Sequence, residues 1–523
     1  MKKIDKRKIF LVIIIILILI VIALFIGKFT FSYLAPDVGE DVNSKGEVTA
    51  SGDTIIFNNG KALTLSATTD NFTTGGTNLT STTNPTAKLV ASSKTNKADS
   101  TYYVGVYIKN NTYTYSTTAK TPEVLLTIKD EKGSNVTSVD GLTYTTSGGV
   151  SGFDITDKTG LFNIKTDYPI TTTSSTTGTT HTWTFTLTFV NLSTDQSVNE
   201  NANMNLDVYL QKKAFPSTVA DVCSGGETLA SCVTTLKQKD ALGISNIYYH
   251  DANLTNGAGD NSYRYAGANP NNFVCFGTNT TPCPTDNLYR IIGVFGNQVK
   301  LIKYDYATSA LLGTDGDYKG TGTPNASYYK GELTTINRYY WNNSTKKNTW
   351  SESELNKTNL NTNFITNIGT EWAAKIAETT WKVVGNTWAN IGSQPAKTAY
   401  QNEIVSPVTT NTTDGKTECS AKIGLMYASD YGFAAAQSAW TANLNTYNGE
   451  TIKNVNWMYM GFDDWTISRN ADFSNIAFYV YNYGYVSNYG VNNGCAVRPS
   501  FSLLSSTTYV SGSGSASDPM VIN

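Results

Sequence analysis

Hydrophobic and polar positions alternate with a period of two near the C-terminal end of the chain. One parity holds the tyrosines and the other holds apolar residues without a tyrosine: Ala477, Tyr479, Tyr481, Tyr483 and Tyr485 on the first, and Phe478, Val480, Gly484 and Val486 on the second. Because successive side chains of a strand point to opposite faces, this pattern predicts a β-hairpin with one apolar face and one tyrosine face, turning at Asn482-Tyr483-Gly484. Tyrosine offers contact area at little rotamer cost and asparagine both donates and accepts hydrogen bonds, so the tyrosine face suits recognition.

The same period recurs between residues 30 and 215. In HTWTFTLTFVN, the large apolar residues share one parity and the threonines share the other: Trp183, Phe185, Leu187 and Phe189 against Thr182, Thr184, Thr186 and Thr188. Short strands of this kind, separated by Thr/Ser/Gly/Asn turns, predict an all-β sandwich over 30–215. The domain is predicted to act as a stalk. The alternative is assembly into a fibre, since an exposed edge strand can template pairing with another copy.

An unbroken apolar run from Ile9 to Ile26 follows the basic residues Lys2, Lys3, Lys6, Arg7 and Lys8. As a helix this run is about 27 Å long, close to the hydrocarbon thickness of a bilayer. Basic residues on the N-terminal side predict a cytoplasmic tail and an anchor over 1–29, with the rest of the chain outside the cell. A cleaved signal peptide is the alternative, although the run is long for one.

The C-terminal half mixes strand and helix patterns, which predicts an α+β domain over 251–523. YRIIGVF and VKLIK, joined by Gly296-Asn297, are typical of successive core strands. Ser351 with Glu354 forms the pattern of a capping box before a helix that Gly369 interrupts. Ser429 is predicted to cap a second, short helix.

Composition narrows the classes of function. The chain has 523 residues, of which 40% are hydrophobic and 15% charged, with a formal net charge of −2. Such a chain can build packed cores, and its near-neutral balance gives no electrostatic footprint for nucleic acid. Its 32 tyrosines and many asparagines could reflect composition bias alone. The single parity of the hairpin tyrosines favours a binding face instead.

All six cysteines lie beyond residue 220, on the side predicted to be exported. An even number there indicates disulfides, and chain order favours the pairs Cys223–Cys232, Cys275–Cys283 and Cys419–Cys495. The first pair falls in a segment, 216–250, that is interpreted as a linker. No CxxC spacing supports zinc.

The hairpin lies in a recognisable frame: Trp465, Ser468 and Arg469 before it, and Val497, Arg498, Pro499, Phe501 and Leu503 after it. This order resembles the C-terminal segment of C-type-lectin-fold domains in bacterial surface proteins of unassigned function. It is also similar to the variable proteins of diversity-generating retroelements, and Ala496 departs from the commoner Gly. The β domain behind an N-terminal hydrophobic helix loosely resembles camelysin-like proteins.

The resemblance implies a ligand-binding face in which Trp465 lies near the site. Its predicted contact residues are Asn470, Asp472, Ser474, Asn475, Tyr479, Tyr481, Tyr483, Tyr485, Asn488, Tyr489, Asn492 and Asn493.

Catalysis is not expected. Glu403, Asp430, Asp463 and Asp464 are acidic residues of the same domain, but no catalytic motif orders them. The Asp/Asn/Gly-rich stretch from His250 to Asn272 lacks the spacing of an EF-hand, so no cofactor is predicted, and the sequence leaves open whether calcium is bound. We therefore predict a membrane-anchored surface protein that binds an extracellular protein or glycan and no nucleic acid. A structural subunit of a fibre or biofilm matrix is the alternative.

Overall fold

The computed structural model describes residues 46–50, 52–68, 76–322, 335–383, 385–407, 417–448 and 450–523. The anchor predicted for residues 1–29 lies outside these residues. No helix in the described ranges has the length and apolarity that crossing a membrane requires. The chain divides between Ala214 and Phe215 into two compact units.

The N-terminal unit is built from antiparallel strands in three sheets, ordered β1-β2-β5-β11, β10-β6-β13-β3 and β4-β12-β7-β9-β8. The strands are β1 (Gly46–Ala50), β2 (Asp53–Asn58), β3 (Leu63–Ser66), β4 (Leu79–Thr83), β5 (Thr86–Val90), β6 (Ala98–Asn111), β7 (Val124–Lys129), β8 (Thr143–Ser147), β9 (Val150–Asp154), β10 (Gly160–Thr172), β11 (Thr179–Thr182), β12 (Thr184–Phe189) and β13 (Asn203–Gln211). A 3₁₀ turn spans Ser197–Asn199.

One hydrophobic core joins the three sheets of this unit. The alternation predicted around Trp183 is confirmed, because Trp183, Phe185, Leu187 and Phe189 are all at most 1% exposed. Trp183 also marks the point at which the chain leaves one sheet for another, since β11 pairs with β5 whereas β12 pairs with β4 and β7. Its indole donates a 2.8 Å hydrogen bond to the Tyr102 hydroxyl. This all-β architecture agrees with the predicted sandwich class.

The C-terminal unit combines short helices with several small sheets. Its strands are β14 (Ile247–Tyr249), β15 (Tyr263–Tyr265), β16 (Phe273–Cys275), β17 (Leu288–Phe295), β18 (Gln298–Lys303), β19 (Tyr318–Gly322), β20 (Ile336–Tyr340), β21 (Thr379–Lys382), β22 (Gly385–Asn386), β23 (Glu418–Ala421), β24 (Asp464–Asn470), β25 (Ile476–Val480), β26 (Val486–Gly490), β27 (Gly494–Cys495), β28 (Ser500–Ser502), β29 (Tyr509–Ser511) and β30 (Val521–Ile522). Its α-helices are α1 (Leu229–Lys239), α2 (Ser309–Leu312), α3 (Ile365–Asn367), α4 (Thr370–Ala374), α5 (Trp388–Ile391), α6 (Ala396–Tyr400), α7 (Ala428–Ala434) and α8 (Glu450–Lys453).

Wider and tighter helical turns complete the unit. π-Helices span Leu355–Phe364 and Gln401–Val405, and 3₁₀ turns span Val219–Asp221, Thr285–Asn287, Trp350–Glu352, Gln437–Ala439 and Leu444–Thr446. The central sheet follows the order β14-β15-β17-β18-β28, and two large hydrophobic clusters lie in the unit.

The interpretation of residues 216–250 as a linker is wrong. Helix α1, whose first turn is capped by the Thr228 hydroxyl, lies inside this segment. Leu229, Val233 and Leu236 are at most 1% exposed and belong to the larger cluster of the C-terminal unit. The segment therefore contributes to the core, because an apolar helix face has to be buried.

Both predicted helix caps differ from the structure. The long helical pattern after Ser351 is divided into a 3₁₀ turn, a π-helix and the short helices α3 and α4, with the expected interruption at Gly369 (φ 84°). The Glu354 carboxylate accepts from Thr358 rather than closing a box with Ser351. In α7 the capping role falls to Asp430, which accepts the Tyr427 amide at 3.0 Å, while Ser429 lies inside the helix.

Two of the three predicted disulfides are present. Cys223–Cys232 and Cys275–Cys283 are bonded, with Cα atoms 5.5 and 5.9 Å apart. The predicted pairing of Cys419 with Cys495 is wrong, since no disulfide joins these two cysteines. Cys419 lies on β23, which pairs with β21, whereas Cys495 lies on β27, which pairs with β20. Chain order could not reveal that the two strands belong to different sheets.

Candidate functional site

The predicted hairpin is formed by β25 and β26, with β24 beside β25 in the same sheet. The pairing runs from Ile476–Gly490 at the open end to Val480–Val486 at the turn. The Tyr481 amide then donates to the Tyr485 carbonyl at 2.8 Å, and the Gly484 amide to the Tyr481 carbonyl at 2.7 Å. Gly484 has φ 100°, a conformation that favours glycine. The turn therefore forms where the sequence predicts it.

The burial of the hairpin's tyrosine face differs from the prediction at Tyr479. Phe478, Val480 and Val486 pack into one hydrophobic cluster, as expected for the apolar face. Tyr479 was expected on a solvated face, but it is 6% exposed and belongs to the second cluster together with Ala477. Strand β25 is thus buried on both faces, because a hydrophobic cluster packs against each of them.

Six aromatic side chains form a continuous series of ring contacts, which we call the aromatic row: Trp465, Tyr479, Tyr481, Tyr483, Tyr485 and Tyr489. The Tyr479 ring lies 6.0 Å from that of Trp465 and stacks on Tyr489 at 5.2 Å. Tyr481 lies 5.9 Å from Tyr479, 5.3 Å from Tyr483 and 5.1 Å from Tyr485.

The aromatic row combines buried rings with exposed ones that pack against them. Trp465 is 1% exposed, and its indole donates a 2.8 Å hydrogen bond to the Tyr339 carbonyl. Tyr489 and Tyr483 are 39% and 51% exposed. Trp465 and Tyr479 therefore support the row from within, and Tyr483 and Tyr489 offer their rings to solvent.

Asn470 is a buried part of the scaffold rather than an exposed contact. It is 2% exposed, and its side-chain oxygen accepts the amides of Asp472 at 2.8 Å and Phe473 at 3.3 Å. The amide group of Asn348 donates to the carbonyls of Asn470, Phe473 and Ile476 at 2.7 to 2.9 Å. These two asparagines hold the loop between β24 and β25 in one conformation.

The remaining predicted polar residues lie at the surface. Asp472, Ser474, Asn475 and Asn492 are exposed, and Asn488 and Asn493 are half-buried. Within the described ranges, no hydrogen bond engages the side-chain amide of Asn475, Asn488, Asn492 or Asn493. Their donors and acceptors are therefore available to a ligand.

Sequence reasoning missed Phe473 and two cationic residues. Phe473 is 57% exposed beside Asp472, and its signal was an aromatic residue inside a polar loop. Lys319 and Arg338 lie on β19 and β20, and β20 pairs with β27 just beyond the hairpin. More than a hundred residues separate them from the hairpin in sequence, so no local pattern could have indicated them.

Asp463 is a half-buried acidic neighbour of the site, and the site's tyrosines are neutral. Asp463 accepts the Asn482 amide at 3.0 Å, and burial raises the pKa of its carboxyl group. Burial also raises the pKa values of Tyr481 and Tyr489. Their hydroxyls therefore stay protonated at neutral pH and can donate hydrogen bonds.

The other candidate acids are buried in the scaffold. Glu403 accepts the amides of Ala428 at 3.2 Å and Ser429 at 3.0 Å, at the start of α7. Asp430 pairs with Lys300 at 2.6 Å. Asp464 is 1% exposed and pairs with Arg498 at 2.6 Å, which connects β24 to the end of the frame. Through these contacts the three carboxylates stabilise the fold.

One grouping of potential metal ligands occurs among the described residues, formed by Cys223, Glu227 and Cys232. Both of its thiols are consumed by a disulfide. A disulfide sulfur cannot supply the thiolate that a metal site needs.

No family model, curated protein or solved structure matched this chain in the three comparisons. The functional argument therefore depends on the geometry of the aromatic row and its surroundings.

Proposed function

We propose that the protein is an exported, membrane-anchored surface protein whose C-terminal unit is a C-type-lectin-like head without catalytic activity. The head binds an extracellular ligand through the outer part of the aromatic row and the amides beside it. Two disulfides support an oxidising compartment. The anchor is the apolar run before Gly27.

The observation that carries this proposal is the combination of buried and exposed rings in one contacting series. Trp465 and Tyr479 are fixed in a core, whereas Tyr489, which stacks on Tyr479, and Tyr483, which contacts Tyr481, are exposed. Aromatic rings held rigid before binding lose little conformational freedom when they contact a ligand. An inert surface does not require a series of tyrosines supported in this way.

The frame of the resemblance supports the same proposal. Arg498, Val497 and Phe501 are at most 3% exposed, whereas the residues between the two halves of the frame include the exposed part of the row. A buried frame that presents an exposed variable segment is what the resemblance to diversified binding proteins implies. Among the predicted variable positions, we assign contact to the surface residues and support to Asn470 and Tyr479.

The test is binding of the protein to arrays of glycans and cell-surface proteins. The variant combines Tyr481→Ala, Tyr483→Ala and Tyr489→Ala, and the control is Tyr249→Ala, a half-buried tyrosine on β14. Single aromatic anchors often contribute about 2 kcal/mol or more, so the triple variant should lose binding while the control retains it. Equal binding by the parent and the triple variant contradicts the proposal.

One observation favours the structural-subunit alternative. Strand β8 ends its sheet, contains no charged residue and pairs with β9 without a register shift. The long edge strand β10, in contrast, has two register shifts and carries Lys165. Bulges and lysines are devices that block edge pairing, so β8 is the more open edge.

Assembly through β8 is tested by sedimentation and electron microscopy of the parent and of Thr143→Lys. The added charge should abolish fibres that grow through this edge, whereas the control Thr143→Val should leave them intact. Parent protein that stays monomeric at high concentration contradicts this second candidate.

A further inference from the structure

Two cationic side chains pass over Gly494, just beyond the hairpin in sequence. The Gly494–Cys495 strand β27 pairs with β20, so that Gly494 lies opposite Tyr340. Lys319 and Arg338 pass over Gly494: a Cβ atom there would overlap the Lys319 side chain and lie 3.3 Å from the Cβ of Arg338. The absence of a side chain at this position makes room for the stems of both side chains.

Neither cation forms a salt bridge with a carboxylate among the residues that the structure describes. Lys319 is exposed, and its ammonium lies 5.5 Å over the Tyr340 ring. Arg338 is half-buried, and its Nη2 donates a 2.8 Å hydrogen bond to the Thr321 carbonyl. Its Nε is buried and makes no hydrogen bond in the described structure. The guanidinium is therefore held in place by a backbone carbonyl and keeps a donor without a hydrogen bond there.

The positive charges of Lys319 and Arg338 affect residues in and next to the hairpin. Burial raises the pKa of the Tyr489 hydroxyl, and the positive charge of Arg338 opposes that rise. Burial likewise raises the pKa of the Cys495 thiol, with Lys319 and Arg338 opposing it. Asp463 is the one acidic group that acts on both of these residues and on Tyr479. Asp463 accepts the Asn482 amide, and the charge of Arg338 opposes the rise in the pKa of its carboxyl group that burial causes.

The hairpin surface favours a glycan over a peptide. An extended peptide adds to the free edge of a sheet, and here that edge is β26. The turn Leu444–Thr446 packs beside β26, which leaves little room for an added strand. Flat tyrosine rings and unengaged amides remain, and amides match sugar hydroxyls because both groups donate and accept hydrogen bonds.

We infer that the ligand of this head is a carboxylate-bearing glycan, a linear chain that contains uronic acids. The outer tyrosines stack on its sugar rings, the asparagine amides bind its hydroxyls, and Lys319 and Arg338 bind a carboxylate. This inference rests on the proposed function of the same site. A guanidinium and an ammonium each give charge-assisted hydrogen bonds to a carboxylate, which are stronger than those between neutral groups.

The experiment measures binding of the full chain to linear oligosaccharides of galacturonate, mannuronate and glucuronate, each beside its methyl ester. The ester keeps the sugar chain and removes its charge. We expect the acid forms to bind and the esters to bind at least about tenfold more weakly, as expected when a charged hydrogen bond is lost. Raising the salt from about 50 to about 300 mM should weaken binding of the acid forms only.

The decisive variant combines Lys319→Gln and Arg338→Gln, and Lys239→Gln at the end of α1 is the control. The double variant should lose about tenfold in affinity for the acid forms and bind the esters as the parent does. Equal binding of acid and ester, no binding of either form, or an unchanged double variant overturns the inference. Tighter binding of oligoglutamate than of any uronic acid chain would assign the site to acidic peptides instead.

The variants separate this inference from the proposed function. If Tyr483→Ala and Tyr489→Ala abolish binding of another ligand class while the cationic variant does not, the head binds ligands and the anionic assignment is wrong. If the tyrosine variants leave all binding intact, the proposed function itself fails.

Discussion

Two asparagine-rich segments of the C-terminal unit have similar compositions and opposite surroundings. In the helical segment 355–367 the amides turn inward. Asn359 is fully buried and donates to the carbonyls of Leu312 and Asp315 at 2.8 and 3.1 Å, and Asn361 exchanges hydrogen bonds with the backbone of Ile423. In the hairpin segment 470–493, Asn470 alone repeats this behaviour.

Composition alone does not show which asparagine amides are hydrogen-bonded within the protein. Asn475, Asn488, Asn492 and Asn493 keep their amides unengaged within the described structure, next to exposed aromatic rings. Both segments are rich in asparagine. In the described structure, the side-chain amides of the helical segment are hydrogen-bonded, whereas these four amides of the hairpin segment are not. The location of the unengaged amides therefore identifies the surface that is available to a ligand.

The largest effect is expected inside the aromatic row. Tyr479→Ala should lower the free energy of unfolding by about 3 kcal/mol or more, because it leaves a cavity between Trp465 and Tyr489. Tyr483→Ala, at the exposed end of the same row, should change it by less than about 0.5 kcal/mol. Chemical denaturation of both variants measures the difference. Equal costs would contradict the division of the row into support and contact.

A smaller contrast is expected between the two sets of asparagines. Asn359→Ala should lower the free energy of unfolding by about 2 kcal/mol, because it leaves the buried backbone amide of Asp317, which Asn359 accepts at 2.9 Å, without that partner. Asn492→Ala should stay within about 0.5 kcal/mol of the parent. Thermal and denaturant unfolding of the pair check the contrast, which disappears if the exposed amide supports the fold as much as the buried one does.

The stability of the folded C-terminal unit should depend on pH through the buried His250. His250 is fully buried, accepts the Ala258 amide at Nδ1, and burial lowers its pKa to about 2. The unfolded chain takes up this proton below its ordinary pKa of about 6.5, so the stability that neutral His250 supplies is present above pH 6.5 and lost as the pH falls.

This loss is measured against His250→Gln, which cannot titrate. The stability difference between parent and variant should shrink by about 2 kcal/mol between pH 6.5 and pH 5. Burial raises the pKa of Asp464 to about 6, which acts in the opposite direction but equally in both proteins. Parallel stability curves would show that His250 is protonated in the folded state.

The sequence predicted the elements with strong local patterns. The alternation around Trp183 and Tyr479 gave the strands, Gly484 gave the turn, and two closely spaced cysteine pairs gave the bonded disulfides. A period of two assigns a residue to a face, but it cannot show that a core covers that face, which is why Tyr479 was expected at the surface.

Partners distant in sequence explain the other differences. The burial of Asn470 depends on Asn348, and the cations beside the hairpin depend on the pairing of β20 with β27. The separation of Cys419 from Cys495 depends on sheet order. None of these relations leaves a local signal in the sequence.

The most direct test of the central claim compares affinity and stability in the same variant. The double variant Tyr483→Ala and Tyr489→Ala should weaken binding of the array ligand by about thirtyfold or more, since two aromatic anchors are lost. Its free energy of unfolding should remain within about 1 kcal/mol of the parent. Unchanged affinity, or a loss of affinity matched by unfolding, would contradict the assignment of the exposed end of the aromatic row to ligand contact.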